Sequence, residues 1–347
     1  MPISQFSTES VTSLIAEIGL THEGSLGMAA SLAKASVNAG ADIVKFQCHI
    51  AESESSSDEA FRVKFSLQDS SRWEYWKRTS FGLEQWKILK EQVEENGAIF
   101  GVSVFSKDAL MKMLHLDVKF IKIGSGDLLN LEIREALENF TGTLVLSTGM
   151  ATWSEVEDTA AWMKMWKFSE DSAILQCTSK YPTELTEVGL NVMKDIRSQL
   201  QVNSGLSDHT RGINSSIAAI AAGARYVEKH VVFSREMFGP DVSSSIDFQE
   251  FRKLKEFRDD FMEISQPVNK DNVAEQLKST RELFGRSLGL VRNFSKGEVP
   301  LVTDFNLKKP AGGLKWEDRD QFAGKSLARD YNISQLLSIE HFSKESE

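Results

Sequence analysis

The sequence predicts an α/β protein: a (β/α)8 barrel of the TIM type over residues 1–265, followed by a small β-rich module. Three observations carry this. Eight short apolar runs of β character lie within the first 265 residues, and nearly all are followed by a stretch of helical periodicity. Alternating βα units call for parallel strands with helices outside, and eight of them at this length close into a barrel. Past residue 283 the pattern changes to short strands, turn signals and little helix. A doubly wound open sheet is the alternative, but no GxGxxG follows the first run, which argues against dinucleotide binding.

The first strand is SLIAEIG (13–19), and the helical LGMAASLAKASVNAG (26–40) after it ends at a glycine, a good C-terminal stop. DIVKFQ (42–47) is the second strand, and the serine-rich AESESSSDE behind it reads as a solvated loop. In LEQWKILKEQVEENG (83–97), Leu83, Trp86, Leu89 and Val93 share one helical face. Strands three to eight are AIFGVSVF (98–105), KFIKIGS (119–125), TLVLSTG (143–149), AILQCTS (173–179), VNSGLSDH (202–209) and RYVEKHVV (225–232). Helical patterns near 130–140, 153–167, 186–199 and 212–222 fill the gaps, and DFQEFRKLKEFRDDFMEI (247–264) completes the barrel. Residues 266–283 are polar, with one proline, and read as a linker. Residues 284–347 are too few for a large core of their own, so this module is expected to lean on the barrel or on another subunit.

Composition narrows the function. The 347 residues are 41% hydrophobic and 26% charged, with a net charge of −10 and no long Lys/Arg cluster, so no nucleic-acid partner is expected. Cys48 and Cys177 form neither a disulfide framework nor a CxxC pair, and read as small core-facing residues. No basic, apolar signal segment opens the chain, and no apolar run nears the roughly 18 residues of a membrane span. A cytoplasmic protein without membrane contact is the expectation.

In such a barrel the chemistry sits at the C-terminal strand ends. Those ends carry Glu17, Lys45, Gln47, Ser103, Lys122, Ser125, Ser147, Ser179, Ser207, Asp208, His209, Glu228 and His230. Ammonium groups and hydroxyls suit a phosphate or carboxylate. Two imidazoles from adjacent strands suit a divalent metal, and Glu17 and Glu228 suit proton transfer or a metal-bound water. The bland readings are a structural ion pair for Lys122, a helix cap for His209, and a solvent-facing pair for Glu228 and His230. His22, His49, His115 and His341 read as surface or supporting histidines. The tryptophans of WSEVEDTAAWMKMW read as packing.

The ordered blocks AEIGLTHEGSL, VKFQ, IKIGSGD, LSTGM, CTSKYPT, GLSDHT, VEKHVV and GPDVSSS, with SKGEVPLVTDFNLKKPAGGL near the C-terminus, resemble the N-acetylneuraminate (sialic acid) synthase family over nearly the whole chain. The C-terminal block resembles that family's antifreeze-like (SAF) domain. The resemblance implies metal-dependent condensation of phosphoenolpyruvate with an N-acylated amino sugar of the N-acetylmannosamine type, giving a nine-carbon 2-keto sugar acid and phosphate. It implies Mn²⁺ or Mg²⁺ and a domain-swapped homodimer. It assigns phosphoenolpyruvate to Lys45, Ser103, Lys122, Ser125, Ser147, Ser179 and Ser207, and the metal to His209 and His230. Glu17 and Glu228 become the acidic pair, and Gln47, Tyr181, Asp241 and Lys309 fall near the sugar. The sequence departs from the family pattern at Thr21 and Ser179, where asparagine is common, and at Lys309, where an arginine reads the N-acyl group. Lysine lacks arginine's planar fork. The alternatives are a different acceptor (legionaminic or pseudaminic type, or non-acylated), a Schiff-base aldolase using Lys122 or Lys45, and a non-catalytic family member in surface-polysaccharide assembly.

Overall fold

A computed structural model describes residues 11–61 and 64–342 of the chain. It divides into two compact units, Met1–Gln266 and Pro267–Glu347. The first is the expected (β/α)8 barrel. Strands β1 (Ser13–Gly19), β2 (Ile43–Cys48), β3 (Ile99–Val104), β4 (Phe120–Ile123), β5 (Thr143–Ser147), β6 (Ala173–Cys177), β7 (Asn203–Asp208) and β8 (Tyr226–His230) pair in parallel in chain order, and β8 closes onto β1.

Around them lie α1 (Leu26–Asn38), α2 (Ala51–Glu54), α3 (Arg72–Thr79), α4 (Leu83–Glu95), α5 (Lys107–His115), α6 (Leu131–Ala136), α7 (Trp153–Trp166), α8 (Leu190–Leu200), α9 (Asn214–Ala221) and α10 (Phe248–Ile264). Their starts follow from capping chemistry. Ser25, Ser106 and Thr152 accept from backbone N–H groups of the first turn, and Asp247 forms a reciprocal capping box with Glu250. Two expectations change. The serine-rich AESESSSDE is loop only from residue 55, since its first four residues form α2, and beyond it α3, which no helical pattern announced, buries Tyr75 and Trp76. The α5 helix fills a gap that the helical patterns left open, its Ser106 cap following directly on the third β-run.

Side-chain alternation builds the barrel interior. Ile15, Ile43, Phe120, Val145, Ala173, Leu175 and Tyr226 point inward and form a closed apolar floor. Gly101 faces the same layer, and its missing side chain leaves room for the Phe120 ring. One step further along the strands the inward positions turn polar: Glu17 pairs in register with Lys45, Ser103 with Lys122, and Ser207 with Glu228. The opposite faces of the strands pack on the helices through residues such as Val44, Phe46, Phe100 and Trp86. Each fully buried side chain of this kind stabilises by roughly 1.5–3 kcal/mol relative to exposure, so the polar layer rests on a rigid base.

In the second unit, the stretch expected as a linker holds α11 (Lys270–Gln276) and α12 (Lys278–Phe284). Neither helix buries a residue; Asn269 caps α11, so local propensity forms a helix that hydrophobic periodicity does not announce. Beyond them β9 (Ser287–Leu290) pairs antiparallel with β10 (Phe305–Lys308). Leu288, Leu290, Phe294, Phe305, Leu327, Tyr331, Leu337 and Phe342 form a small core, and the Tyr331 hydroxyl donates to Gln335 O at 2.6 Å. Among the described residues no helix is long and apolar enough to cross a membrane.

Candidate active site

The C-terminal strand ends open into a cavity of about 530 Å³. The strand-end candidates line it, as do Tyr181 and Asp241, with Asp208 the exception. Asp208 points the other way. It pairs with the fully buried Lys229 at 3.3 Å and accepts from Ser215 and Ser216 hydroxyls at 2.6 Å each. Lys229 also donates to Thr210 O at 2.5 Å, so this outward pair clamps the turn that carries His209. Lys309 belongs to the second unit, where its ammonium stands 4.8 Å from the Phe284 ring centre.

Two lysines and two glutamates lie buried together on the cavity floor. Lys122 Nζ donates to both Glu228 oxygens at 2.9 Å. Lys45 Nζ donates to Ser103 Oγ at 2.6 Å, forms an ion pair with Glu17, and lies 3.6 Å from Glu228 Oε2. The Ser207 hydroxyl donates to Glu228 at 2.8 Å, and the Gln47 amide donates to Glu17 at 2.9 Å. The environments separate the two acids. Burial alone would raise Glu228, but Lys122 and then Lys45 overcome it and hold its carboxyl far below the ordinary range. For Glu17 burial prevails over the pull of Lys45, Glu228 adds to it, and the carboxyl is raised. Burial opposes the charge of Lys45, yet Glu17 and Glu228 raise it above its ordinary value.

The two imidazoles stand on the β7–β8 side with ring centres 5.5 Å apart. His209 Nδ1 lies 3.1 Å from Thr178 O, which can only accept, so the ring donates there and Nε2 is left for another partner. Burial lowers His230 toward the neutral form despite Asp241 and Glu228, and its Nδ1 is buried without a hydrogen-bond partner. The Tyr181 ring stacks on His209 at 4.1 Å and meets His230 edge-on at 6.2 Å. Two imidazoles from adjacent strands, one with an orphaned ring nitrogen, fit a divalent cation. Among the described residues no third His, Cys, Asp or Glu joins them, so other ligands would be water or substrate.

The hydroxyls complete the floor. Ser147 Oγ is buried and without a partner. Ser125 and Ser179 approach one another over Gly149, where a Cβ would overlap both hydroxyls and where φ is +22°.

A model of the NeuB family matches residues 32–266. The chain belongs to the NeuB family. This NeuB chain is 29% identical over 331 residues to the N,N'-diacetyllegionaminic acid synthase of Campylobacter jejuni, across 94% of this chain and 98% of that one. It is 30% identical over 352 residues to the N-acetylneuraminate-9-phosphate synthase of Drosophila melanogaster, across 91% of each chain. The crystal structure of the N-acetylneuraminic acid (sialic acid) synthetase from Leptospira borgpetersenii, in complex with citrate, aligns with a TM-score of 0.68 at 25% identity, over 82% of this chain and 97% of that one.

The NeuB cavity also holds residues that the sequence reading placed elsewhere. Cys177 is not a core-facing thiol: its Sγ lies 3.7 Å from His209 Nδ1 and 3.8 Å from Ser125 Oγ. It shares the inward parity of Ala173 and Leu175, which is the signal that finds it. His22 and His49 are buried rather than superficial, and His49 lines the cavity. Asp127, just after the GSG turn, lines it too; burial raises its carboxyl against the Asn130 amide that donates to it.

Proposed function

We propose that this chain condenses phosphoenolpyruvate with the open-chain aldehyde of an N-acylated amino sugar. A C–C bond forms between the enol methylene and the aldehyde carbon, water adds at the enol carbon, and phosphate leaves with C–O cleavage. The product is a 2-keto sugar acid of the sialic acid type. The observation that carries this reading is the cavity floor of a NeuB-family barrel, where Lys45, Lys122 and an unpartnered Ser147 hydroxyl lie beside the imidazoles of His209 and His230.

An ammonium has three donors. Lys122 directs two at Glu228, which leaves one for an anion above it. Lys45, with Ser103, Ser125, Ser147 and Ser179, would share the phosphate and carboxylate and fix the methylene toward the acceptor, which is positioning catalysis. Glu17, with its raised carboxyl, is the group suited to hold or deliver a proton at the acceptor oxygen. Glu228 is held ionised and serves as the counter-ion that keeps both ammonium groups in place. His209 and His230 would hold Mn²⁺ or Mg²⁺; a bound divalent ion supplies Lewis-acid polarisation of the acceptor carbonyl. A Schiff-base route fits less well, because the carboxylates around Lys45 stabilise its charged form and so suppress the free amine.

The acceptor is to be found by experiment. Purified protein is incubated with phosphoenolpyruvate, Mn²⁺ and a panel of 2-acylamino and 2,4-diacylamino hexoses, free and 6-phosphorylated, and phosphate release is followed. Release with one class, abolished by chelator and restored by metal, supports the proposal. No release with any sugar counts against it, and borohydride trapping of a pyruvate adduct would favour the aldolase.

A further inference from the structure

His49 lies one residue beyond the end of β2, on the same inward parity as Lys45 and Gln47. It is 6% exposed. Its ring is clamped between two aromatic planes, Trp76 at 4.8 Å and 10° and Phe105 at 4.2 Å and 9°. Its backbone carbonyl accepts from the Ser80 hydroxyl at 2.9 Å. Both ring nitrogens are engaged: Nδ1 lies 2.8 Å from Glu54 Oε1, and Nε2 lies 3.2 Å from Gln47 Oε1.

These contacts fix the protons. The Gln47 amide nitrogen donates to Glu17 Oε1 at 2.9 Å, so its oxygen faces His49 and can only accept. His49 Nε2 must therefore carry hydrogen. The opposite nitrogen faces the Glu54 carboxyl. A flipped Gln47 amide would set oxygen against oxygen at Glu17, a repulsive contact in a buried place. The parallel rings on both faces stop the imidazole from tilting away.

Resting on the condensation proposed above, we propose that His49 is a positioning residue, a clamped imidazole that orients the Gln47 amide and through it the Glu17 carboxyl beside the acceptor. The chain of contacts runs Glu54, His49, Gln47, Glu17, Lys45, and links α2 to the ion-paired floor.

Two measurements test it. Nitrogen-15 NMR of histidine-labelled protein without substrate reads the tautomer, with His49→Phe supplying the assignment. Hydrogen on Nε2 is expected; a bare Nε2 with hydrogen fixed on Nδ1 alone overturns the relay. In kinetics, His49→Phe keeps the aromatic sandwich and deletes both nitrogens. The kcat/KM for the acceptor sugar should fall about 10–100-fold, the range seen when an outer hydrogen-bond partner is removed. The Kd of phosphoenolpyruvate should stay within about twofold, and His49→Gln, whose amide can again donate to Gln47, should recover part of the loss. Unchanged acceptor kinetics in folded His49→Phe, or an equal loss of phosphoenolpyruvate affinity, overturns the proposal. If His49→Phe does not fold, the wild-type tautomer decides, with the signal assigned through His49→Gln. A chain inactive on every sugar overturns the condensation and leaves the relay standing, because the tautomer is read without turnover.

Discussion

Lys122→Met removes the cation that holds Glu228 ionised inside the barrel. The two side chains are 3% and 5% exposed. At 2.9 Å and an effective dielectric of about 20, their attraction is about 6 kcal/mol. Lys45, at 3.6 Å, contributes about 5 kcal/mol on the same scale, but Glu17 shares it. Removing one partner of a buried pair destabilises by about 3–5 kcal/mol. With Lys45 and the Ser207 hydroxyl still facing the carboxylate, the lower end, about 3 kcal/mol, is expected. The pH dependence follows from the sign of the shift. In the wild type the Glu228 carboxyl is depressed, so its contribution is present above the unfolded value of about 4.3 and is lost as pH falls through the folded one. In the variant the main opposing cation is gone, burial raises the carboxyl, and stability is lost as pH rises instead. The gap between the two proteins is therefore widest near neutrality and narrows toward about pH 4. Urea unfolding in chelator-containing buffer, followed by tryptophan fluorescence, reads the barrel, because six of the seven tryptophans lie in the first unit. Adding Glu228→Gln to the variant should recover most of the loss. A gap below about 1 kcal/mol at neutral pH, or one that does not narrow in acid, refutes the claim that Lys122 holds Glu228 ionised.

Three other substitutions separate site from scaffold. Ser147→Ala removes a hydroxyl that has no partner in the ligand-free cavity, so thermal stability should hold or rise slightly while phosphoenolpyruvate binding weakens by about 1 kcal/mol, measured by calorimetry. Gly149→Ala drives a methyl group into the Ser125 and Ser179 hydroxyls, and a displacement of that size should lower kcat/KM for phosphoenolpyruvate about a hundredfold; a variant near wild-type activity would show that those hydroxyls touch no substrate. Asp208→Ala leaves Lys229 fully buried without its carboxylate, and chemical denaturation should show a loss of about 3–5 kcal/mol; a loss under about 1 kcal/mol would mean that the clamp behind His209 is dispensable.

The barrel was legible because its periodicities are physical necessities. A strand that must bury both faces reads as a continuous apolar run, and the point where such a run admits Glu17, Lys45, Lys122 or Glu228 is the point where it leaves the floor. Convergence at one mouth then followed from topology alone. What stayed hidden had other causes. The serines after β2 suggested solvent, yet that segment continues into α3, whose Trp76 covers His49. His49 itself was one parity step beyond Gln47, a signal that stopping at the end of the strand passes over. Cys177 looked like core because a thiol gives no polar cue; only its register beside Ser207 reveals the cavity. The helices α11 and α12 have no buried face, so hydrophobic patterning could not find them. Lys309 was read from a resemblance alone, and within the second unit its ammonium stands over the Phe284 ring.

The floor of the cavity presents a problem of charge. Two lysines face two glutamates, so the site is close to neutral within a chain of net charge −10, yet the proposed ligand carries up to three negative charges above its phosphate ionisation near pH 6. With no divalent ion at His209 and His230, an anion pressed against two carboxylates is repelled unless one of them takes a proton. Glu228 is the wrong one, since Lys122 and Lys45 hold it ionised. Glu17 is the right one, since burial already raises it and an arriving anion would raise it further. Binding should therefore draw a proton onto Glu17, the acid that the Gln47 amide holds, so that the same event that seats the enol phosphate arms the acid. Calorimetric titration of phosphoenolpyruvate at about pH 8, in buffers of different ionisation enthalpy, measures that uptake directly, because the ligand's own phosphate is fully ionised there. Net proton uptake is expected in chelator-containing buffer, absent in Glu17→Gln. Binding without proton uptake, or uptake that survives the substitution, would show that the floor meets its ligand's charge in another way.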